Sequence, residues 1–411
     1  MDKRDALYAA AIVGGGAAGM LAAIALSDAG VKDILLLERN DRLGKKLSAT
    51  GNGQGNVTNA DMNVSHYFSS DTEKVKEVLS AFGKDELLAY LTSLGGCFAA
   101  DGEGRVYPTS RQAASVTDIL RYALAERGVC VKTGEFVLSA KKSGKEFRLK
   151  TDKGEYCARC LLIAAGGKAS PHFGTDGNGY ALAENFGHSV TRLSPALVQL
   201  KTERDGIKGL KGVRIDCNAR LLRGERELYA CRGDVIFTDG GVSGNAVFKI
   251  SSRAEKGDFL SVDLLPDCGK EALASLISAK AERWATYSSE ELLRCIVHTA
   301  AARAVMRSLG IGAEMKCAAL VGRADAIASR IKDYRLRIEG TNGFENAQVT
   351  KGGIPLSEVD GYLMSKKVNG LFFAGEILDA DGECGGYNLQ WAFSCGVRCA
   401  KRIAELLHAD R

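Results

Sequence analysis

Residues 8–26 read YAAAIVGGGAAGMLAAIAL and carry no charge. A hydropathy window alone would take such a stretch for a signal peptide or a membrane anchor. The three consecutive glycines argue otherwise, because each glycine inside a helix is destabilising by about 1 kcal/mol relative to alanine. A strand, a tight turn and a helix in succession use all three. Gly14, Gly16 and Gly19 form G-x-G-x-x-G after the apolar strand AAIV and at the start of an alanine-rich helix, the context in which that spacing holds a dinucleotide. The first glycine permits the turn, the second lets a pyrophosphate approach the backbone where Ala17 and Ala18 open the helix, and the third allows close helix-to-strand packing. A second apolar strand, DILLLE, ends in Glu38, 19 residues beyond Gly19, where a carboxylate hydrogen-bonds a ribose hydroxyl.

Composition sets the class around this motif. The chain has 411 residues, 45% hydrophobic and 26% charged, with 48 glycines, which describes an ordinary globular protein rich in tight turns. Lysine plus arginine exceed aspartate plus glutamate by 55 to 50, and the excess is scattered in pairs such as Lys45-Lys46 and Lys366-Lys367. No nucleic-acid or membrane partner is expected from that pattern. The 12 cysteines show no regular framework, so a reducing cytoplasm suits them. Cys157 and Cys160 are formally C-x-x-C, but they lie in a strand, where packing explains them better than redox chemistry does. No second pair or histidine cluster supports a metal.

The choice between FAD and NAD rests on the segment after GVCVKT. The runs EFVLSAKK, EFRLKTD and EYCARC alternate and are separated by turn signals, Ser143-Gly144 and Asp152-Lys153-Gly154. They predict an antiparallel meander that returns to an apolar strand, LLIAAGG, the crossover of a glutathione-reductase-type FAD domain. Near the other end, residues 369–396, NGLFFAGEILDADGECGGYNLQWAFSCG, give strand, loop and helix start once more. A second helix N-terminus aimed at the electron-rich end of a flavin would stabilise negative charge there.

These motifs together resemble a bacterial FAD-binding oxidoreductase family that includes aminoacetone oxidase and the bile-acid-operon flavoprotein reductase. The likeness runs through IVGGGAAGMLAA, GKKLSATGNGQGNVTN, GRVYPTS, LLIAAGGKASPHFGTDGNGYALAENFGH, SPALVQL, FTDGGVSGNAVFKIS and VTKGGIPLSEVD to GGYNLQWAFSCG, nearly the whole chain in order. Motif and resemblance together give an expected cofactor-binding set of Gly14, Gly16, Ala17, Ala18, Gly19, Glu38, Arg39, Lys46, Gly51, Gly53, Asn56, Val137, Ala165, Gly166, Gly375, Glu376, Gly385, Gly386, Tyr387, Asn388 and Gln390. In the resembling family the loop at residues 50–59, TGNGQGNVTN, lies against the cofactor. Its glycines permit close backbone approach, and Asn52, Asn56, Thr58 and Asn59 add short donors and acceptors. Most relatives carry Arg-Cys where Gln54-Gly55 stand here, so backbone cradling is retained while a cationic or thiol role is not. Exchange of the pair for Arg-Cys is expected to alter activity more than flavin content.

The expected fold is α/β: a glutathione-reductase-type Rossmann FAD-binding domain with an inserted β-barrel-like unit and a small helical subdomain. Residues 1–192 and 346–411 are read as the two parts of the FAD domain, 193–268 as the β-rich insert, 269–332 as the helical subdomain and 333–345 as the insert's return strand. The insert is expected to cover the flavin, with a substrate pocket between it and GECGGYN. Tyr107 and Cys384 are the substrate-side candidates, and His172 stands in a loop where relatives carry another residue. No second strand-glycine-helix unit exists for NAD(P)H, which is therefore expected as a transient co-substrate. The functional expectation is NAD(P)H-linked reduction of an activated C=C bond in a small, steroid-like molecule. The alternatives are an amine-type oxidase using oxygen and, in another class, a flavin-containing nucleic-acid-modifying or regulatory binding protein.

Overall fold

The computed structural model describes residues 7–409. The chain divides into two compact units, Met1–Ser194 with Gln348–Arg411, and Pro195–Ala347.

The first unit is built on β1 (Leu7–Val13), which pairs in parallel with β2 (Ile34–Leu37) on one side and with the strand Glu155–Ile163 on the other. Cys130–Lys132 extends the sheet beyond β2, and Leu371–Phe373 extends it beyond Glu155–Ile163, both in parallel. β2 is buried at every position, and β1 from Ala10 to Val13, as a parallel strand covered on both faces requires. Helix α1 (Ala17–Asp28) is buried on almost every side, and its small residues suit that position. Glycines set its distances: a Cβ at Gly19 would lie 1.9 Å from the Gly14 carbonyl oxygen, and one at Gly396 would lie 2.4 Å from that of Ala18.

The expected meander is present as Val137–Ser143, Glu146–Thr151 and Glu155–Ile163, but its end differs from the sequence reading. EYCARC and LLI are one continuous strand, not two. Its first half pairs antiparallel with Phe147–Lys150, while Leu161–Ile163 pair in parallel with Leu371–Phe373 on the same edge. A nine-residue strand is long enough to serve both neighbours in turn. Cys160 is buried and Cys157 partly exposed, and both are free.

The second unit holds a closed six-stranded barrel, running Leu200–Thr202, Gly241–Ser243, Arg226–Phe237, Arg214–Arg223, Phe259–Asp263, Tyr334–Thr341 and back to the first. Alternate residues such as Ala219, Leu221, Val235, Leu260 and Leu336 fill its core. ALVQLKTE, which reads as a single strand, is broken: Leu197 takes a left-handed φ of 48°, and only Leu200–Thr202 enters the barrel. Helices Lys270–Arg283, Thr299–Ser308 and Ala324–Lys332 share the same core through Leu273, Ile277, Val305, Ile327 and Ile331. Among the described residues, no helix is long and apolar enough to cross a membrane.

One buried polar knot ties the first unit together. His188, whose side chain is fully buried, contacts Glu358 through Nδ1 and Ser365 through Nε2, each at 2.7 Å, and sets its ring edge against Phe373. Glu358 also accepts from the Ser189 amide and hydroxyl and from Lys367. Burial pushes the Glu358 carboxyl up, but these hydrogen bonds outweigh it and hold the group at about 2, against an ordinary 4.5. Burial also lowers His188 below its ordinary 6.5, with Glu358 opposing only in part. Both folded-state values are depressed, so both groups stabilise the fold at neutral pH and lose that contribution on acidification. Stability should begin to fall as pH drops below 6.5 and fall more steeply between 4.5 and about 2. Glu358→Gln should cost about 2 kcal/mol at pH 7 in denaturant titrations and flatten the lower part of that pH dependence.

Candidate functional site

The carboxyl edge of the parallel sheet gathers the first group of sequence-derived residues, where an α/β sheet presents its binding crevice. Gly14 has φ +108°, and a Cβ there would lie 2.4 Å from the Ala164 carbonyl oxygen, so the turn passes directly over the end of the strand that leads to Ala165 and Gly166. At Gly16 the opposite holds: no atom lies within 4 Å of an added Cβ, and no side chain caps α1. The space in front of the helix N-terminus is therefore open and its amides face it, the geometry that receives a pyrophosphate. Ala17 and Ala18 are buried just behind.

Glu38, 8% exposed, accepts the Gly15 amide at 2.8 Å through Oε2, and the Asn40 backbone and side-chain amides at 2.7 Å through Oε1. The carboxylate expected for a ribose also braces the glycine turn. Arg39 pairs with Asp176 at 2.7 Å and lies over the Phe136 ring, next to buried Val137.

Farther along, Lys46 and Glu376 meet at 2.8 Å, and Glu376 also accepts the Thr350 amide. Gly375, with φ +80°, brings its backbone close to α1, since an added Cβ would stand 3.2 Å from that of Ala18. Its carbonyl accepts the Trp391 indole.

The long C-terminal helix, Tyr387–Ala409, starts where Gly385 and Gly386 press on the loop that contains Asn56 to Asn59. A Cβ at Gly386 would lie 2.4 Å from the Thr58 carbonyl oxygen and 2.8 Å from Asn56 Oδ1. Asn59 donates to the Gly385 carbonyl at 2.9 Å, and the Thr58 hydroxyl donates to Gln390 Oε1 at 2.6 Å. Both amides of the expected pair bond inside the protein: Gln390 donates to Ser394 and Phe82, and Asn388 bonds both the amide and the carbonyl of Gly382. Asn56 differs from them. Its side-chain oxygen is buried and has no hydrogen-bond partner among the described residues. A buried acceptor without a donor costs about 1–3 kcal/mol, so the site has a place for a ligand N–H or O–H beside Gly386.

Tyr107 is 7% exposed, and its hydroxyl makes no hydrogen bond among the described residues. Burial pushes its phenol above the ordinary 10, partly offset by Arg105 and Arg111, and the nearby Cys384 thiol adds to the rise. The two substrate-side candidates thus come together, close to the helix start and to Gly51, whose added Cβ would stand 3.5 Å from the Tyr107 ring. Gly51 and Gly53 take left-handed φ of 58° and 83° and leave the loop backbone exposed. His172 is exposed, and its ring lies tilted at 50° to that of Phe173 with the centroids 4.1 Å apart.

Gln54-Gly55 requires a correction. Gly55 has φ +77°, and an added Cβ would lie 2.8 Å from the Ala113 Cα. Arg-Cys cannot be exchanged there as a simple pair, because the cysteine meets rigid backbone. Sequence reading also missed Asp61, His66 and Glu383, which the structure assembles beside the helix start. Glu383 lies 317 positions from His66, and no spacing pattern links them.

A family model described as HI0933-like protein Rossmann domain matches residues 8–402. A 3-dehydro-bile acid delta(4,6)-reductase of Clostridium scindens is 36% identical over 403 residues, 96% of this chain and 98% of that protein. A ribosomal RNA dihydrouridine synthase of Escherichia coli is 29% identical over 410 residues, 98% of each. Among solved structures, a 3-ketosteroid-delta4-(5alpha)-dehydrogenase from Rhodococcus jostii, in complex with 4-androstene-3,17-dione, aligns over 98% of each chain with a TM-score of 0.52 and 15% identity, a likeness of fold.

Two glycine variants separate folding from binding. Gly16→Ala should leave the melting temperature of the ligand-free protein unchanged yet weaken FAD binding at least about tenfold, since the methyl enters the space a pyrophosphate would fill. Gly14→Ala should destabilise the ligand-free protein itself. Thermal melts and flavin titrations of both variants check the contrast.

Proposed function

The chain belongs to the HI0933-like family, an FAD-binding Rossmann family of oxidoreductases, and from that premise we infer that it reduces an activated C=C bond in a small, steroid-like molecule with NAD(P)H as donor. The observation that carries the reading is the pairing of two groups at one helix start, the unpartnered buried Asn56 oxygen and the unpartnered Tyr107 hydroxyl. The first fits a ring N–H of a flavin. The second is a proton donor held in its acid form.

The reaction balances as C=C plus NAD(P)H plus one proton, giving CH–CH and NAD(P)⁺. FAD, when bound, supplies the two-electron hydride chemistry between donor and substrate. The chain's residues do the rest. Gly14, Gly16 and the start of α1 would hold the pyrophosphate, Glu38 the ribose, and Asn56 with the Gly385–Gly386 backbone the polar edge of the ring. Tyr107 would give its phenolic proton to the carbon next to the one that receives hydride. Arg105 and Arg111 lower the cost of the phenolate left behind, and the raised phenol value favours its reprotonation.

The bile-acid reductase relative supports this substrate class, and the free cysteines agree with a cytoplasmic location. The rRNA-modifying relatives keep an RNA uridine in view, because dihydrouridine also arises by reduction of a C=C bond. Against it stand three of the barrel's arginines, which are matched by carboxylates: Arg223 by Asp258, Arg232 by Asp216 and Asp267, Arg335 by Glu225 and Asp333. Phosphates would have to displace those partners.

In anaerobic solution, NADH or NADPH should bleach the flavin band, and 4-androstene-3,17-dione should restore it. Tyr107→Phe should keep the flavin and the bleaching but slow the return of colour about 100-fold. Bleaching by amines with rapid recolouring in air would mean an oxidase instead, and recolouring by RNA but not by the steroid would move the substrate to nucleic acid.

A further inference from the structure

Beside the start of the C-terminal helix, three titratable side chains form a chain that the proposed reduction does not yet use. His66 contacts Asp61 Oδ2 through Nε2 and Glu383 Oε2 through Nδ1, each at 3.1 Å. A neutral imidazole has one N–H and one lone pair, whereas both of these partners are carboxylates. Both contacts are hydrogen bonds only when both ring nitrogens carry a proton, so the geometry is that of an imidazolium between two anions. The ring stacks on Tyr387 at 4.6 Å and 23°, which fixes its plane. Exposure falls along the chain, from 71% of the Asp61 side chain to 25% of His66 and 10% of Glu383.

The backbone holds the same alignment. Glu383 N donates to the His66 carbonyl at 2.9 Å, and Tyr67 and Phe68 pair antiparallel with Gly382 and Asp381. The groups around the imidazole are Asp61 from its own loop, with Lys84 behind it, and Glu383 and Tyr387 from the C-terminal segment. The Tyr67 hydroxyl donates to the Tyr387 carbonyl. Burial pushes His66 down, but the two carboxylates outweigh it and leave it above its ordinary 6.5.

We propose that Asp61, His66 and Glu383 form a proton relay from solvent to the Glu383–Gly386 loop. The inference rests on the reductase reading, which consumes one solvent proton per turnover. His66 gives its Nδ1 proton to Glu383, and Nε2 remains protonated. The ring is left as the neutral Nε2–H tautomer, held by Asp61, and a solvent proton taken up at the freed Nδ1 lone pair of the part-exposed imidazole restores the imidazolium. One solvent proton enters the ring for each that passes to Glu383, and no electrons move. The proton's final acceptor is the phenolate that the proposed reduction leaves on Tyr107, which lies within electrostatic reach of Cys384, the residue next to Glu383. The relay works while His66 is an imidazolium and fails as pH rises through its elevated value, when one of the two hydrogen bonds is lost.

The test uses FAD-loaded protein, reduced anaerobically with light and then mixed with one of three acceptors: 4-androstene-3,17-dione, menadione, or ferricyanide, which takes electrons without a proton. His66→Gln should slow reoxidation by the first two about tenfold at pH 7, remove the decline at alkaline pH, respond to added imidazole, and leave ferricyanide reoxidation unchanged. Asp61→Asn, a change at an exposed position, should act in the same direction and more weakly. Equal slowing with ferricyanide, or wild-type rates and pH profiles with the proton-requiring acceptors, would overturn the relay. If wild-type protein reduces menadione but not the steroid, the substrate reading fails, and the relay is judged on menadione alone.

Discussion

The structure depends on a close crossing of backbones at α1. The helix lies on the parallel sheet below Gly14 and Gly19 and against the C-terminal helix at Gly396, and at each of those glycines a single methyl would collide with a carbonyl. Dispersion and burial are gained only if the helices approach this far, and glycines on two separate stretches of chain must lack a side chain for that to happen. The same approach brings the start of α1, the Gly375 turn and the start of the C-terminal helix to one edge of the sheet. The start of α1 and the start of the C-terminal helix each present partial positive charge. The binding edge is thus a consequence of packing, and Gly16 is the position in the turn where packing demands nothing and space is left open.

How much of this was legible in sequence depends on whether the cause is local. The glycine turn, the apolar strands and the acid at Glu38 are fixed by neighbours within a few tens of residues, so their spacing reveals them. The meander and the barrel strands show in their alternation. Where strand EYCARCLLI changes partners cannot be read, because both halves look like strand and only the arrival of Leu371–Phe373 marks the join. Leu197 likewise gives no local sign of its left-handed turn. Asn388, Gln390 and Asn56 look alike as amides near a cofactor motif. Their difference lies in partners that engage the first two and leave the oxygen of the third unpaired, and for Gln390 that partner, Thr58, is hundreds of residues away.

Charge is distributed by a similar logic. Lys46 is paired with Glu376, Arg39 with Asp176, and the barrel's Arg223, Arg232 and Arg335 with their own carboxylates. A net charge of +5 therefore describes the sum of the chain and not a surface poised for polyanions. The groups left without partners at the helix start are neutral ones, an amide oxygen and a phenol, which suits a site that must orient a weakly polar molecule and deliver a proton to it.

The loop at residues 50–59 shows how a departure from a family pattern can be steric and chemical at once. Gly55 fits because its missing Cβ would meet the Ala113 backbone, and the thiol of the family's pattern is lost together with the room for it. Gln54, exposed beside it, supplies no charge. Yet a guanidinium is present nearby: Arg111 lies 4.2 Å above the Tyr107 ring. Arg111 does so from a left-handed φ of 52°, a conformation that costs about 1 kcal/mol or more for a residue with a side chain. An exposed cation–π contact returns about 0.5–1 kcal/mol, which roughly offsets that strain without exceeding it. The backbone conformation at Arg111 is then better explained by where it holds the positive charge than by stability, and the charge it holds acts on the phenol that the proposed reduction requires to give up its proton.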